Sequence, residues 1–323
     1  MSEAGSAPAG PDVPNAPLWR RALPFVVAVA LLGWVGARTD GAAFLAALEQ
    51  TNIPALVTFG AVFSVALLFA DAFATAGVYR QTVTQVSTLD LFIVRGASYL
   101  PSMVNYHVGQ AWLTWFIARK KGASLWRMSG ATLVVYATTF GGLWAFSFTG
   151  GVLAGDRVAW LPPTVIAIGV AALGYLAVIG IAPRFLAERR LLQPLFELGV
   201  RGQLLHFARR LPHVFVLFVG TWAPFEFFGV HIPLTDALAL VPVLMLVVAL
   251  PLTPQGFGTR DWVALTLFAG VPGAALEDAA ATEAAILAST VSWGVLLTLL
   301  QVPLGLALMA AARRRLSLDG PAA

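Results

Sequence analysis

The chain has no cysteine, which excludes disulfides and thiolate-bound metals and leaves no mark of redox compartment. Charge is scarce: Asp, Glu, Lys and Arg make up 11% of residues, less than half the share of about 25% in soluble domains. Four scattered histidines offer little for a metal centre. There is no Walker A loop, no His-Glu-x-x-His helix and no Gly-x-Ser-x-Gly elbow. A P-loop motor, a zincin and a serine hydrolase of the elbow type are therefore excluded. The apolar stretches are continuous rather than alternating, which excludes a β-barrel. The longest segment between spans is too short for a soluble catalytic domain, so the sequence predicts no enzyme and no cofactor.

What the chain does have is apolar length. Hydrophobic residues make up 59% of it, and the mean hydropathy is +0.81. Runs long enough to span a bilayer recur, so the expected class is an all-α polytopic membrane protein. Helical spans are predicted at about 20–37, 53–77, 128–152, 159–182, 212–229 and 282–311. Two further apolar stretches, 89–118 and 234–270, are broken in the middle by Pro and Gly. The segment 1–18 is Ala/Pro/Gly/Ser-rich and reads as a disordered tail ahead of an uncleaved first span. Residues 19–311 form one transmembrane domain, and 312–323 a cytoplasmic tail.

Charge placement sets the orientation. Arg20–Arg21, Arg80, Arg119–Lys121 with Arg127, the arginines of 184–210 and Arg313–Arg315 all fit one side, leaving only Arg38 and Arg157 on the other. By the positive-inside rule both termini are cytoplasmic. The basic blocks explain the pI of about 9.8 without nucleic acid. Because span two already returns the chain to the cytoplasm, the stretch 89–118 should enter and leave on one side, with a single tilted 30-residue helix as the alternative. It reads as a re-entrant hairpin bent near Leu100–Pro101. The stretch 234–270 reads as a second hairpin, with two short spans as the alternative. The elements then repeat as span, span, hairpin, span in two halves of opposite orientation, about 19–153 and 158–311, the inverted repeat of many transporters.

The hairpins share an order of features. "YLPSMVNYHVGQAWLTWF" (99–116) and "ALPLTPQGFGTRDWVALTLF" (249–268) each have Leu-Pro, a polar Gly-containing bend, a Trp and a closing apolar helix. Broken backbone at membrane depth is tolerated where it lines a cavity. The expected substrate site therefore combines Gln255, Gly258, Thr259, Arg260 and Asp261 with Asn105, His107 and Gln110. A half-helix starting near Thr259 would aim its positive end at an anionic group such as a lipid phosphate. Arg260 would contact that phosphate, while Asp261 holds the bend or pairs across the cavity. Arg95 lies near the cytoplasmic face and could snorkel to it. Asp71 and Glu226 are candidate ion or proton sites, Glu226 beside His231 near the outer boundary. His206 and His213 fall at the linker and call for no functional account. The linker 184–210 mixes Leu and Phe with Arg and reads as an amphipathic segment lying on anionic lipid headgroups.

The residues "LPLTPQGFGTRDWVALTLFAGVP" resemble the flippase-like family that includes the membrane region of lysylphosphatidylglycerol synthases. Pro254, Gly256, Gly258, Arg260 and Asp261 match its C-terminal motif, with Asp261 where the family usually has Glu. "GASLWRMSGATLVVY" after "RKK" is similar to its middle region. The first half departs: Gly109 is followed by Gln110 rather than Glu. The resemblance implies movement of a lipid or lipid-linked headgroup between leaflets. The alternatives are a membrane-embedded enzyme or an accessory subunit of lipid or glycolipid synthesis, and a homo-oligomer is possible.

Overall fold

Polar caps and breakers set the helix ends in the structure, a computed structural model that describes residues 18–37, 39–154, 159–250, 252–276 and 278–315. Helix α1 runs Leu18–Gly36 and turns into a short α2, Gly41–Gln50, whose first amides donate to the Asp40 side chain. Asn52 caps α3, Ile53–Thr82, with Pro54 in the first turn, where no amide partner is lost. Ser87 caps α4, Thr88–Ala97. A single turn, α5 (Tyr99–Ser102), leads to the tip of the first hairpin, and α6, Tyr106–Lys120, returns. Helices α7, Leu125–Ala154, and α8, Leu161–Ile181, follow; α8 ends at Ala182 in a left-handed conformation before Pro183. The short α9, Arg184–Ala187, precedes α10, Gln193–Glu226. The second hairpin comprises α11, Leu234–Ala249, a 3-10 turn at Pro254–Gly256 and α12, Thr259–Phe268. After a second 3-10 turn, α13 closes the described chain at Ala279–Arg315.

The described residues contain no strand. Four helices are long and apolar enough to cross a bilayer: α3, α7 to Leu153, α8 and α13; the bent pair α1–α2 would make a fifth. Helix α8 shows why water is the wrong surrounding. Only Leu161, Val165 and Ile179 of its residues are buried, while Ile166, Ile168, Val170, Leu173 and Ile181 face outward. An apolar helix with that much exposed hydrocarbon belongs in lipid. The described helices thus support a membrane protein.

Three features of the sequence expectation change. The run 212–229 does not begin a helix of its own: residues 212–226 are the end of α10, which begins at Gln193 and has non-helical backbone at Gly199. The linker 184–210 is therefore not one surface-lying segment, because its part after Gly199 is helix continuous with 212–226. The first bend also moves. Pro101 sits inside the single turn α5, whose first-turn position tolerates it, and the tip follows at Met103–Asn105. Finally, α13 stays helical through Arg315, beyond the 311 boundary, and Arg315 Nε donates to Asp90 Oδ1 at 3.0 Å. Partial burial raises the Asp90 carboxyl, but hydrogen bonds with Ser87 and Arg315 outweigh it and hold it below its ordinary value. The tail 1–17, Arg38, Arg157 and 316–323 lie outside the described residues.

Two large apolar clusters hold the bundle. One gathers Tyr79, Leu91, Leu113, Ile117 and Met128; the other gathers Phe218, Phe225, Leu244, Phe268 and Ile286. Helices from the two sequence halves meet closely where α7 crosses α11. A Cβ on Gly150 would lie 2.6 Å from the Ala239 Cα, so backbone touches backbone there.

Candidate functional site

The hairpin tips touch. Gln255, with φ of 52°, donates from Nε2 to the Ser102 carbonyl at 3.4 Å and reaches Met103 Sδ at 3.6 Å. His107 Nε2 lies 3.0 Å from the Ala249 carbonyl, and its Nδ1 lies 3.2 Å from the Tyr136 hydroxyl. A carbonyl only accepts, so Nε2 carries the proton and Nδ1 accepts from Tyr136. His107 belongs to the first turn of α6, not to the bend. Asn105 is the cap of that helix, its Oδ1 accepting the His107 amide at 2.8 Å. Its side-chain oxygen is thus committed to backbone.

The start of α12 forms a second locus. Gly258, with φ of 79°, donates its amide to Asp261 Oδ2 at 2.8 Å. A Cβ on Gly258 would lie 2.8 Å from Leu31 Cβ, so glycine serves both the left-handed backbone and the close approach of α1. Thr259 donates to the Gly256 carbonyl and shares a hydrogen bond with Thr253 at 2.9 Å. Asp261 is fully buried and Arg260 nearly so. The guanidinium turns towards α13, not into a space between the hairpins. Its Nη2 donates to the Thr290 carbonyl at 2.7 Å, and it lies over the Phe257 ring at 5.4 Å. It fits there because residue 294 is glycine: an added Cβ would sit 3.0 Å from Cζ and closer still to Nη2. Arg260 Nε and Asp261 Oδ1 are 3.5 Å apart and neither has a hydrogen-bond partner.

An apolar cleft of about 280 Å³ runs beside this locus. It is lined on α1 by Leu32, Val35 and Gly36, and on α13 by Leu287 and Val291. Leu32 also packs at Gly258, and Leu287, Val291 and Gly294 share one face of α13 at helical spacing. The cleft and the guanidinium thus both adjoin α13.

The third locus is a buried ionic cluster on five helices. Asp71 of α3 accepts from Arg95 Nε of α4 at 2.5 Å, and its other oxygen pairs with Arg210 Nη1 of α10 at 2.6 Å. Arg95 also reaches Gln110 Oε1 of α6 at 3.2 Å, and its guanidinium lies 5.3 Å from the Tyr106 ring centre. Arg210 donates from Nε to Thr139 of α7 at 2.9 Å and from Nη1 to Thr75 at 3.1 Å. Among the described residues no second carboxylate pairs with either arginine, so the cluster carries one net positive charge.

This cluster revises several expectations. Arg95 points inward and does not snorkel. Both Asp71 oxygens are held by guanidiniums, which leaves an ion or proton reading of that residue without a free carboxylate. Arg210 belongs to the bundle interior, and His206 and His213 are buried with it at the α3–α10 interface. His206 donates from Nε2 to Gln81 at 2.8 Å, while the Nδ1 atoms of both histidines lack partners. The sequence did hold a signal: 206, 210 and 213 share one helical face. Of the expected site residues, Gln110 belongs to this cluster, and Gln255 and His107 to the tips. Gly258, Thr259, Arg260 and Asp261 form the α12 locus. Glu226 stands apart from all three, paired with the exposed His231 at 2.5 Å. No protein-family model matches the chain and no curated protein matches it, so the flippase-like resemblance rests on its own residues.

Proposed function

We propose that the chain moves a phospholipid, or a lipid-linked anionic headgroup, between the leaflets of an inner membrane, without covalent chemistry. In this reading there are about six spans, the crossing part of α10 among them. The two hairpins are re-entrant, the halves are inverted repeats, and both termini are cytoplasmic. One observation supports the reading: two broken helical stretches touch at their breaks, and each holds a buried arginine. Broken helices of this kind are how transporters bring polar groups to mid-membrane. A guanidinium at that depth is costly, and such residues usually mark a substrate path. The apolar cleft along α1 and α13 suits an acyl chain, and Arg260, held against the same helix α13, would take the phosphate. The resemblance of 250–272 to the flippase-like family points the same way.

The test is a liposome assay that follows a headgroup-labelled phospholipid from one leaflet to the other. The native chain should move it unchanged. Arg260→Ala removes one charge-assisted hydrogen bond of about 1.5–3 kcal/mol. If that bond is re-made to the lipid only in the moving state, the rate should fall about 10–100-fold. Unaltered transport by a folded Arg260→Ala protein would remove Arg260 from the path. A chemically modified lipid would favour a membrane enzyme instead. The topology has its own check, since the chain has no cysteine of its own. Cysteines introduced at 84 and 120 should both label from the cytoplasmic side, and labelling from opposite sides would exclude the re-entrant hairpin.

A further inference from the structure

The cluster around Asp71 is built like an anion site that already holds an anion. Arg95 and Arg210 approach opposite oxygens of one carboxylate, each at salt-bridge distance. Both arginines, Asp71, Gln110 and Thr75 are all more than nine-tenths buried. Two desolvated guanidiniums around a single carboxylate leave one positive charge without a counter-charge, and burial makes that imbalance expensive. One arginine would neutralise the carboxylate; the second is left over. Phosphate, with more oxygens and up to two negative charges, would balance both planar guanidiniums. Thr75, Thr139 and Ser98 add hydroxyls around the same two arginines. Asp71, Thr75, Arg95 and Gln110 line a crevice between α3, α4 and α6 that is too narrow to admit a water molecule. An arriving anion must therefore take the place of Asp71 rather than sit beside it.

We propose that Arg95 and Arg210 form a phosphate-binding site whose occupant in this conformation is the Asp71 carboxylate, an internal counter-ion that phosphate displaces. This site is distinct from the α12 locus, and its test involves no transport. The experiment measures thermal unfolding of the full chain in an uncharged detergent, titrated with one of three probes. The probes are inorganic phosphate, dihexanoyl phosphatidylglycerol and, as an uncharged control, dioctanoylglycerol. A response to inorganic phosphate makes the site one for the free ion; a response to phosphatidylglycerol alone makes it one for a lipid headgroup. Equal stabilisation by dioctanoylglycerol would mean that only the tail binds, and would overturn the proposal.

Asp71→Asn should tighten binding of the active probe by about tenfold or more, since a competing charge contact of that size is removed. Arg95→Gln leaves Arg210 and Asp71 as a neutral pair, so it should fold and lose the response. An Asp71→Asn protein that folds only with the anionic probe present would also support the site. An Asp71→Asn protein with unchanged affinity, or one that no anion rescues, would overturn it, as would an Arg95→Gln protein that responds like the native chain.

Discussion

Replacing Gly294 with alanine tests whether Arg260 is held by α13 or merely stored against it. The added methyl would lie 3.0 Å from the Arg260 Cζ and Nη1, so the guanidinium must move. Its movement breaks the 2.7 Å hydrogen bond to the Thr290 carbonyl. A charged hydrogen bond contributes about 1.5–3 kcal/mol. Against this, Gly→Ala inside a helix stabilises by about 0.8–1.0 kcal/mol. The net effect in the native background should be a destabilisation of about 0.5–2 kcal/mol. In an Arg260→Met background no hydrogen bond remains to be broken and a thioether chain can give way, so the same change should stabilise by up to about 1 kcal/mol. The measurement is thermal unfolding of the four proteins, followed by tryptophan fluorescence in detergent. The sign of the Gly294→Ala effect should reverse between backgrounds. An equal shift in both would show that the guanidinium is not fixed by Thr290, and the account of this locus would fail.

Two further outcomes follow from the packing and the surface charges. Gly150→Ala should destabilise by about 1–3 kcal/mol or more, because its methyl meets the α11 backbone, which cannot rotate away; a melting temperature within a degree of native would contradict the close α7–α11 crossing. The Asp90–Arg315 tie should be pH-dependent, with a definite sign. Its carboxyl is held below the ordinary value of 3.8, so its stabilisation is complete above that value and is lost as pH falls through the lower folded value. Hydrogen exchange at the end of α13 should therefore be flat from pH 7 to about 5 after correction for intrinsic rates, and faster only at more acid pH. Asp90→Asn should remove that acid transition; its persistence would assign it to another group.

How far these features could be read from sequence differs by locus. The breaks within 89–118 and 234–270 were legible because proline and glycine interrupt apolar runs, and breakers act locally. The tip contact between them was legible only as an expectation from repeat order. The capping role of Asn105 was not legible, because a polar residue at a bend serves equally as cap or ligand, and the 2.8 Å bond to the His107 amide shows the cap. Arg210 was lost for a different reason. It follows Arg209 beside a basic linker, where the positive-inside rule predicts a solvated side chain. Its true environment depends on Asp71, 139 residues away in sequence, and no local pattern reports such a partner. The same distant pairing lets α10 continue past its arginines, so cutting the helix at charge placed its start too late. Arg260 was recognised as buried, but its direction depended on the missing side chain at Gly294.

The contacts at the hairpin tips carry a kinetic consequence. Two hydrogen bonds, from Gln255 and His107 to main-chain carbonyls, are the polar fastenings described there. Each contributes about 0.5–1.5 kcal/mol net, so parting them requires roughly 1–3 kcal/mol. At that energy the parted form would hold on the order of 1–10% of molecules, a standing minority that needs no fuel to exist. By contrast, the Asp71 cluster is fastened by buried ion pairs and the α7–α11 crossing by backbone-to-backbone packing. The tips are a lightly fastened polar seam, and slow exchange between joined and parted tips is the motion to look for first.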